Sequence, residues 1–315
     1  MDEPGGMDGA AHGAGGMHCA AHGTGDMHGA ASVAGTSAMR AGAAIAKAPS
    51  LPRAWPEYLM EAAGLGTFML SACVFGVLLE HPDWLVRPLV SDAVVRRALM
   101  GVAMGATAIG IIYSPWGRRS GAHINPSVTL AFLRLGRIEP RDAFFYVAAQ
   151  LLGAVVGVCV ASSLLGEALA HPAVRYVATV PGAAGPLVAL VAEGAISALL
   201  MAVVLAASDT ARVAPYTGLL CGGLVASYIT LEAPLSGMSM NPARTLASAV
   251  FAGDYTALWI YVSAPPAAMI LAADLYARIA GPVACAKLCH DRRVRCIFCE
   301  HRHPEPRVTP LAWVE

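Results

Sequence analysis

Two short segments of this chain read almost alike, and each interrupts a long apolar stretch. Ser120-Gly121-Ala122-His123-Ile124-Asn125-Pro126-Ser127 and Ser236-Gly237-Met238-Ser239-Met240-Asn241-Pro242-Ala243-Arg244 carry their Asn-Pro pairs 116 positions apart. Asn is a favoured N-cap and Pro is pre-set for the first helical turn, so each pair predicts a helix start. A helix start in apolar surroundings puts a positive dipole end and an amide side chain where polar groups are costly, which is the mark of a pore.

The composition agrees with a membrane setting. The chain is 57% hydrophobic and 13% charged, against roughly 45–50% and about 25% for soluble domains. Lys and Arg total 21, as do Asp and Glu, so the basic excess that a nucleic-acid partner needs is missing. Six runs are apolar for about the 20 residues a spanning helix requires: 57–79, 94–113, 143–165, 186–207, 214–233 and 257–280. Gly pairs four apart (Gly101 and Gly105, Gly153 and Gly157, Gly218 and Gly222) are candidate close helix contacts, or simply reflect abundant Gly. If the N-terminus is cytoplasmic, 16 of the 21 Lys and Arg fall on the inner side. The positive-inside rule then places both termini in the cytoplasm.

Each half holds three spans, one Asn-Pro loop and a Glu in its first span, Glu61 and Glu193. An odd number of spans turns the second half upside down, and inverted repeats of this kind place a site at the midplane. The apolar segments after the two Asn-Pro pairs, 126–133 and 242–251, are short. At 1.5 Å per residue they reach about 12–15 Å, half of a hydrocarbon core of about 30 Å. They read as re-entrant half-helices whose N-termini meet at mid-membrane. Glu61 and Glu193 then have a structural use, accepting the orphan N–H groups of the loops, or a sharper one, as an ion or proton relay.

With Asn125-Pro126-Ser127, Asn241-Pro242-Ala243-Arg244, the Ser-Gly before each, Glu61 and Glu193, and also Gln150, Trp259, Tyr261 and Pro265, residues 55–281 resemble the aquaporin (major intrinsic protein) family. The resemblance implies an all-α membrane protein of six transmembrane helices plus two re-entrant half-helices. It implies a homotetramer in the plasma (inner) membrane, with one pore per subunit, and no enzyme activity. The halves would be 55–165 and 186–281. Water and small neutral solutes would pass, and protons and ions would not. Both Asn amides donate to a passing water, which turns its hydrogens outward and breaks a proton wire. The selectivity ring maps to Arg244, Met238, Ile229 and either Met104 or Gly105.

The ring departs from that of strict water channels, which carry an aromatic residue and a His, and this predicts a wider, greasier constriction admitting glycerol, urea or a metalloid acid. Thr245 stands where glycerol-conducting members carry Asp after the Arg, and Ser127 stands where the family has Ala; its hydroxyl is expected to bond locally. The alternatives are an ion-coupled secondary transporter, or a metal-sensing membrane protein acting through its tails.

Both tails carry potential ligands. Residues 1–54 hold a ten-residue repeat at Met7, Met17 and Met27 with interspersed His, readable as low-complexity disorder or as ligands for copper-type metals. The cytoplasmic tail 282–315 holds Cys285, Cys289, His290, Cys296, Cys299, His301 and His303. Cys-x2-Cys has zinc-ligand spacing, and the set expected from it is Cys289, Cys296, Cys299 and His301; palmitoylation or free thiols are the other readings. No cofactor is needed for permeation itself.

Overall fold

The computed structural model describes residues 54–84, 86–291 and 293–302. The Met/His repeat in the first 53 residues, and His303, lie outside the described residues. Among the described residues every regular element is a helix, and there is no strand.

Six helices are long and apolar enough to span. They are α1 (Trp55–Glu80), α2 (Ala93–Tyr113), α4 (Pro140–Leu165), α5 (Pro186–Asp209), α6 (Thr217–Leu231, preceded by the 3-10 turn Ala214–Tyr216) and α8 (Leu258–Ala280). Between them lie two short helices, α3 (Pro126–Arg134) and α7 (Pro242–Ala252). The observed ends fall within three residues of those read from the apolar runs. The largest offset is at α4, where Pro140 at the first helical turn opens the helix and Arg141 and Asp142 fill a charged turn that apolarity alone passes over. α3 and α7 have 9 and 11 residues, so they span about 14 and 17 Å, half a bilayer core.

The two halves pack as inverted copies. α1 lies on α4 as α5 lies on α8, and each half-helix packs on the last span of the other half, α3 on α8 and α7 on α4. α2 and α6 close the ring against each other. Two of these crossings are backbone-to-backbone. A Cβ on Gly153 would stand 2.1 Å from the Ala62 carbonyl oxygen, and one on Gly157 2.3 Å from that of Gly66. Between α2 and α6, Gly101 meets the Ala226 carbonyl and Gly105 that of Gly222, each at 2.5 Å. The Gly pairs are therefore sites of contact, because in lipid the gain on association comes from close van der Waals approach rather than from water release.

After α8 the chain turns at Gly281 and runs back under the bundle. The segment read as a separate tail is in part built into the molecule: Val283, Ala286, Leu288 and Phe298 are buried in the same core as Met104 and Val128. A short helix, α9 (Ile297–Arg302), ends the described chain. The Leu288 N–H donates to the Gly121 carbonyl at 3.2 Å, so this segment lies on the side from which the first Asn-Pro loop enters. On the opposite face Arg175 pairs with Asp254, and the rings of His81 and His171 lie 4.6 Å apart. Asp254 is held below the ordinary carboxylate range, first by hydrogen bonds from Thr256 and then by Arg175.

Replacing Gly153 by Ala forces α1 and α4 apart; we expect a loss of about 1–3 kcal/mol, read as a lower midpoint of thermal unfolding in detergent. Gly194→Ala, where a Cβ meets nothing within 4 Å, is expected to leave that midpoint unchanged.

Candidate functional site

Each re-entrant loop is held open by a buried carboxylate. Glu61, fully buried in α1, accepts from Ser120 Oγ (2.7 Å) and the His123 N–H (3.1 Å) on Oε1. Its Oε2 accepts from the Ile124 N–H (2.6 Å) and Gln150 Nε2 (2.8 Å). Glu193 in α5 repeats this. It accepts from Ser236 Oγ (2.8 Å), the Ser239 N–H (2.6 Å) and the Met240 N–H (2.8 Å). A tyrosine from the last span of each half completes each loop: Tyr146 Oη donates to the Ser120 carbonyl at 2.7 Å and Tyr261 Oη to that of Ser236 at 2.6 Å. Unmet backbone donors at this depth cost several kcal/mol each, and charge-assisted bonds remove that cost. With this many donors converging on them, both glutamates serve the loops rather than a relay.

The loops also share an unusual backbone path. Ala122, Ile124, Met238 and Met240 all lie at positive φ (38–55°) without being glycine. Such residues persist only where surroundings over-determine them, and here the carboxylates do so. With the amides of His123 and Ile124 drawn to Glu61, the trans peptides turn the Ala122 and His123 carbonyls away from it.

At the tips the two Asn side chains tie the halves together. Asn125 Nδ2 donates to the Met240 carbonyl and Asn241 Nδ2 to the Ile124 carbonyl, each at 2.8 Å. Each Asn Oδ1 caps its own half-helix: Asn125 accepts from the Ser127 N–H (2.8 Å), and Asn241 from the Ala243 and Arg244 N–H groups (3.1 and 3.3 Å). An amide nitrogen has two N–H donors. The cross-bond takes one on each Asn and leaves the other for the cavity that both side chains line.

That cavity, of about 110 Å³, runs between the half-helix tips. By volume alone it admits several waters, each needing roughly 10–15 Å³. It gathers Asn125, Asn241, Met104, Ile229, Met238 and Arg244 along a wall that is otherwise largely apolar. Nη1 of Arg244 is buried without a protein acceptor and so has a proton to offer to whatever occupies the space. Of the two candidates in α2, Met104 lines the cavity and Gly105 does not: Gly105 faces α6, where the Gly222 carbonyl leaves no room for a side chain.

Two further expectations need correction. The Ser127 hydroxyl, expected to bond locally, is buried with no hydrogen-bond partner among the described residues. Cys289 does not join the other thiols: its Sγ points to the Ala214 carbonyl at 3.7 Å. The ligand atoms that gather instead belong to Cys285, His290, Cys296 and Cys299, all within 4.8 Å of one another, while the His301 side chain lies outside the described residues. Cys296 and Cys299, paired by Cys-x2-Cys, lie in this group; the chain reversal that brings Cys285 to Cys296 left no local signal.

His123, beside the first box, is a structural pin. Its ring stacks between Phe132 (5.0 Å) and Phe298 (5.4 Å), and Nε2, which faces the Ala286 carbonyl at 2.7 Å, carries the proton because a carbonyl only accepts.

Comparison with known proteins decides the family. The Major intrinsic protein family model matches residues 49–276. The chain belongs to that family. Among its relatives, "Probable aquaporin NIP7-1" of Arabidopsis thaliana is 31% identical over 71% of this chain and 77% of its own. "Aquaporin NIP1-3" and "Aquaporin NIP1-4" of Oryza sativa subsp. japonica are 36% and 38% identical over 52% and 57% of this chain; the chain spans 56% and 64% of their lengths. The X-ray structure of the aquaglyceroporin from Plasmodium falciparum matches in fold, with a TM-score of 0.59, 18% identity, 72% of this chain and 97% of that one. Family membership and six spanning helices make this an integral multi-pass membrane protein.

Two substitutions separate these roles. Ser127→Ala removes an orphan hydroxyl and is expected to stabilise by about 1 kcal/mol, whereas Glu193→Ala strands three donors and should cost at least about 2 kcal/mol. Both are read from thermal unfolding midpoints in detergent.

Proposed function

We propose that this protein is a passive channel for water and small neutral solutes, with no catalytic step, and that it excludes protons and ions. The observation that carries this reading is the reciprocal tie of the Asn tips, which leaves one N–H of each amide for the shared cavity. A water between them accepts from both, so its own hydrogens point along the channel away from the centre. Two half-helix N-termini at the same level add a positive potential that repels cations, and Arg244 reinforces it. The wall formed by Met104, Ile229 and Met238 is apolar and flexible, which suits a neutral solute carrying a hydrocarbon face, such as glycerol, or a compact one, such as urea or a metalloid acid.

Coupled transport finds little support: both intramembrane glutamates are occupied by loop donors. The family resemblance supports a homotetramer, with one pore in each subunit. The charge distribution supports both termini being cytoplasmic, since the basic residues near the first loop, Arg118 and Arg119, share a side with Lys287, and the reading includes a plasma or inner membrane.

In proteoliposomes under an osmotic step, we expect shrinkage several-fold faster than in empty vesicles, uptake of glycerol or urea, and no dissipation of a proton gradient. Water flux no greater than in empty vesicles, both before and after treatment with a metal chelator, overturns the reading. Met238→His narrows the wall and adds a polar group; solute flux should fall at least several-fold while water flux stays within about twofold, since a lost or gained fit of one group is worth about 1–3 kcal/mol.

A further inference from the structure

Three thiols and one imidazole converge where the C-terminal segment folds back under the bundle. Cys285 Sγ lies 3.5 Å from Cys296 Sγ and 3.8 Å from Cys299 Sγ, and Cys299 Sγ lies 3.4 Å from His290 Nε2. All three cysteines are unbridged. With zinc–sulfur bonds of about 2.3 Å and zinc–nitrogen bonds of about 2.0–2.1 Å, the edges of a tetrahedron are about 3.8 Å between sulfurs and about 3.6 Å between sulfur and nitrogen. These three separations are those edges to within a few tenths of an ångström, and all four ligand atoms lie within 4.8 Å of one another. A set of three cysteines and one histidine is a closed structural zinc site in kind, and its Cys-x2-Cys half sits at the start of α9.

The surroundings fit the charge of such a centre. Three thiolates on a divalent ion leave one net negative charge. Lys287 is buried beside Cys285, Cys296 and Cys299, with Nζ donating to the Arg118 and Arg295 carbonyls at 2.9 Å each. A buried ammonium is costly without a counter-charge. The carbonyls supply hydrogen bonds, and the metal centre would supply the charge.

The same residues grip the channel. Between Cys285 and His290, the Ala286 carbonyl accepts from His123, the Leu288 N–H donates to the Gly121 carbonyl, and the Leu288 side chain lines the cavity that holds Asn125 and Arg244. Between Cys296 and Cys299, Phe298 stacks flat on His123, with an interplanar angle of 8°, and edge-on to Tyr146. Both pairs of ligands therefore flank a residue that touches the first Asn-Pro loop or the tyrosine that supports it.

We propose that Cys285, His290, Cys296 and Cys299 bind one zinc ion per chain, and that the bound ion clamps residues 283–299 over one mouth of the cavity with Leu288 as its stopper. Binding exchanges three thiol protons for the ion. Losing the ion frees the loop between Cys285 and His290, withdraws Leu288 and raises permeation. The clamping half rests on the channel reading above; the metal site does not.

The test uses the full chain, purified under reducing conditions, incubated with equimolar zinc and desalted. We expect about one zinc per chain by elemental analysis, and the visible spectrum of tetrahedral thiolate-bound cobalt on substitution. Cys285→Ser and Cys296→Ser should each lower retained metal at least tenfold, and Cys289→Ser should leave it unchanged. In proteoliposomes, chelator treatment of the native chain should raise water flux several-fold. Leu288→Ala should show that raised flux with the metal still bound, which separates release of the stopper from damage to the fold. Native protein that retains no more zinc than Cys285→Ser overturns the site. Retained zinc with flux unchanged by chelator and by Leu288→Ala overturns the clamp. No flux in any form, with zinc retained, overturns the channel reading and the clamp together and leaves the metal site standing on its count.

Discussion

Backbone that leaves a helix inside a bilayer has no water to satisfy it, and the rest of this fold depends on how that demand is met. Glu61 and Glu193 meet it. Each sits fully buried on the first span of its half and takes the amides of the adjoining loop together with a Ser hydroxyl. Without an acceptor there, the positive φ values at Ala122, Ile124, Met238 and Met240 would have nothing to hold them. With one, the loops stay extended to mid-membrane, and the half-helices begin at a fixed depth.

From that depth the remaining geometry follows. Pro126 and Pro242 start the half-helices, Asn125 and Asn241 cap them, and one amide hydrogen of each Asn ties its loop to the other. Because the tie runs from one half to the other, a displacement of either loop is felt by both. The glycine crossings at Gly153 and Gly157, and at Gly101 and Gly105, let the spans approach closely enough to enclose a cavity about the size of a short file of waters. The largely apolar wall gives little affinity, and the polar groups stand where they orient a passing molecule.

The C-terminal segment adds a layer that the inverted repeat does not contain. His123 is one point of attachment: its ring contacts Phe132 of the half-helix, Phe298 of the terminal helix and the Ala286 carbonyl. That ring and Leu288 carry the segment's contacts next to the first Asn-Pro box, and both line the cavity.

The sequence by itself determined the six spans, the two half-helices, their opposed senses, and the placing of Asn125, Asn241, Glu61 and Glu193, because apolar run length, helix-start chemistry and the cost of a buried charge are local properties that a one-dimensional reading captures. Met238 and Arg244 were also legible, by their fixed offset from the second box, and Ile229 through the family resemblance. The tertiary structure alone decided between Met104 and Gly105, since neighbours on one helix differ only in which partner they face: one looks into the cavity and the other onto the Gly222 carbonyl. It alone left the Ser127 hydroxyl without a partner, turned Cys289 towards Ala214, and brought Cys285 and His290 to Cys296 and Cys299. Those outcomes depend on a chain reversal after Gly281 and on contacts with a loop more than 150 residues away, and spacing along the chain carries no information about either.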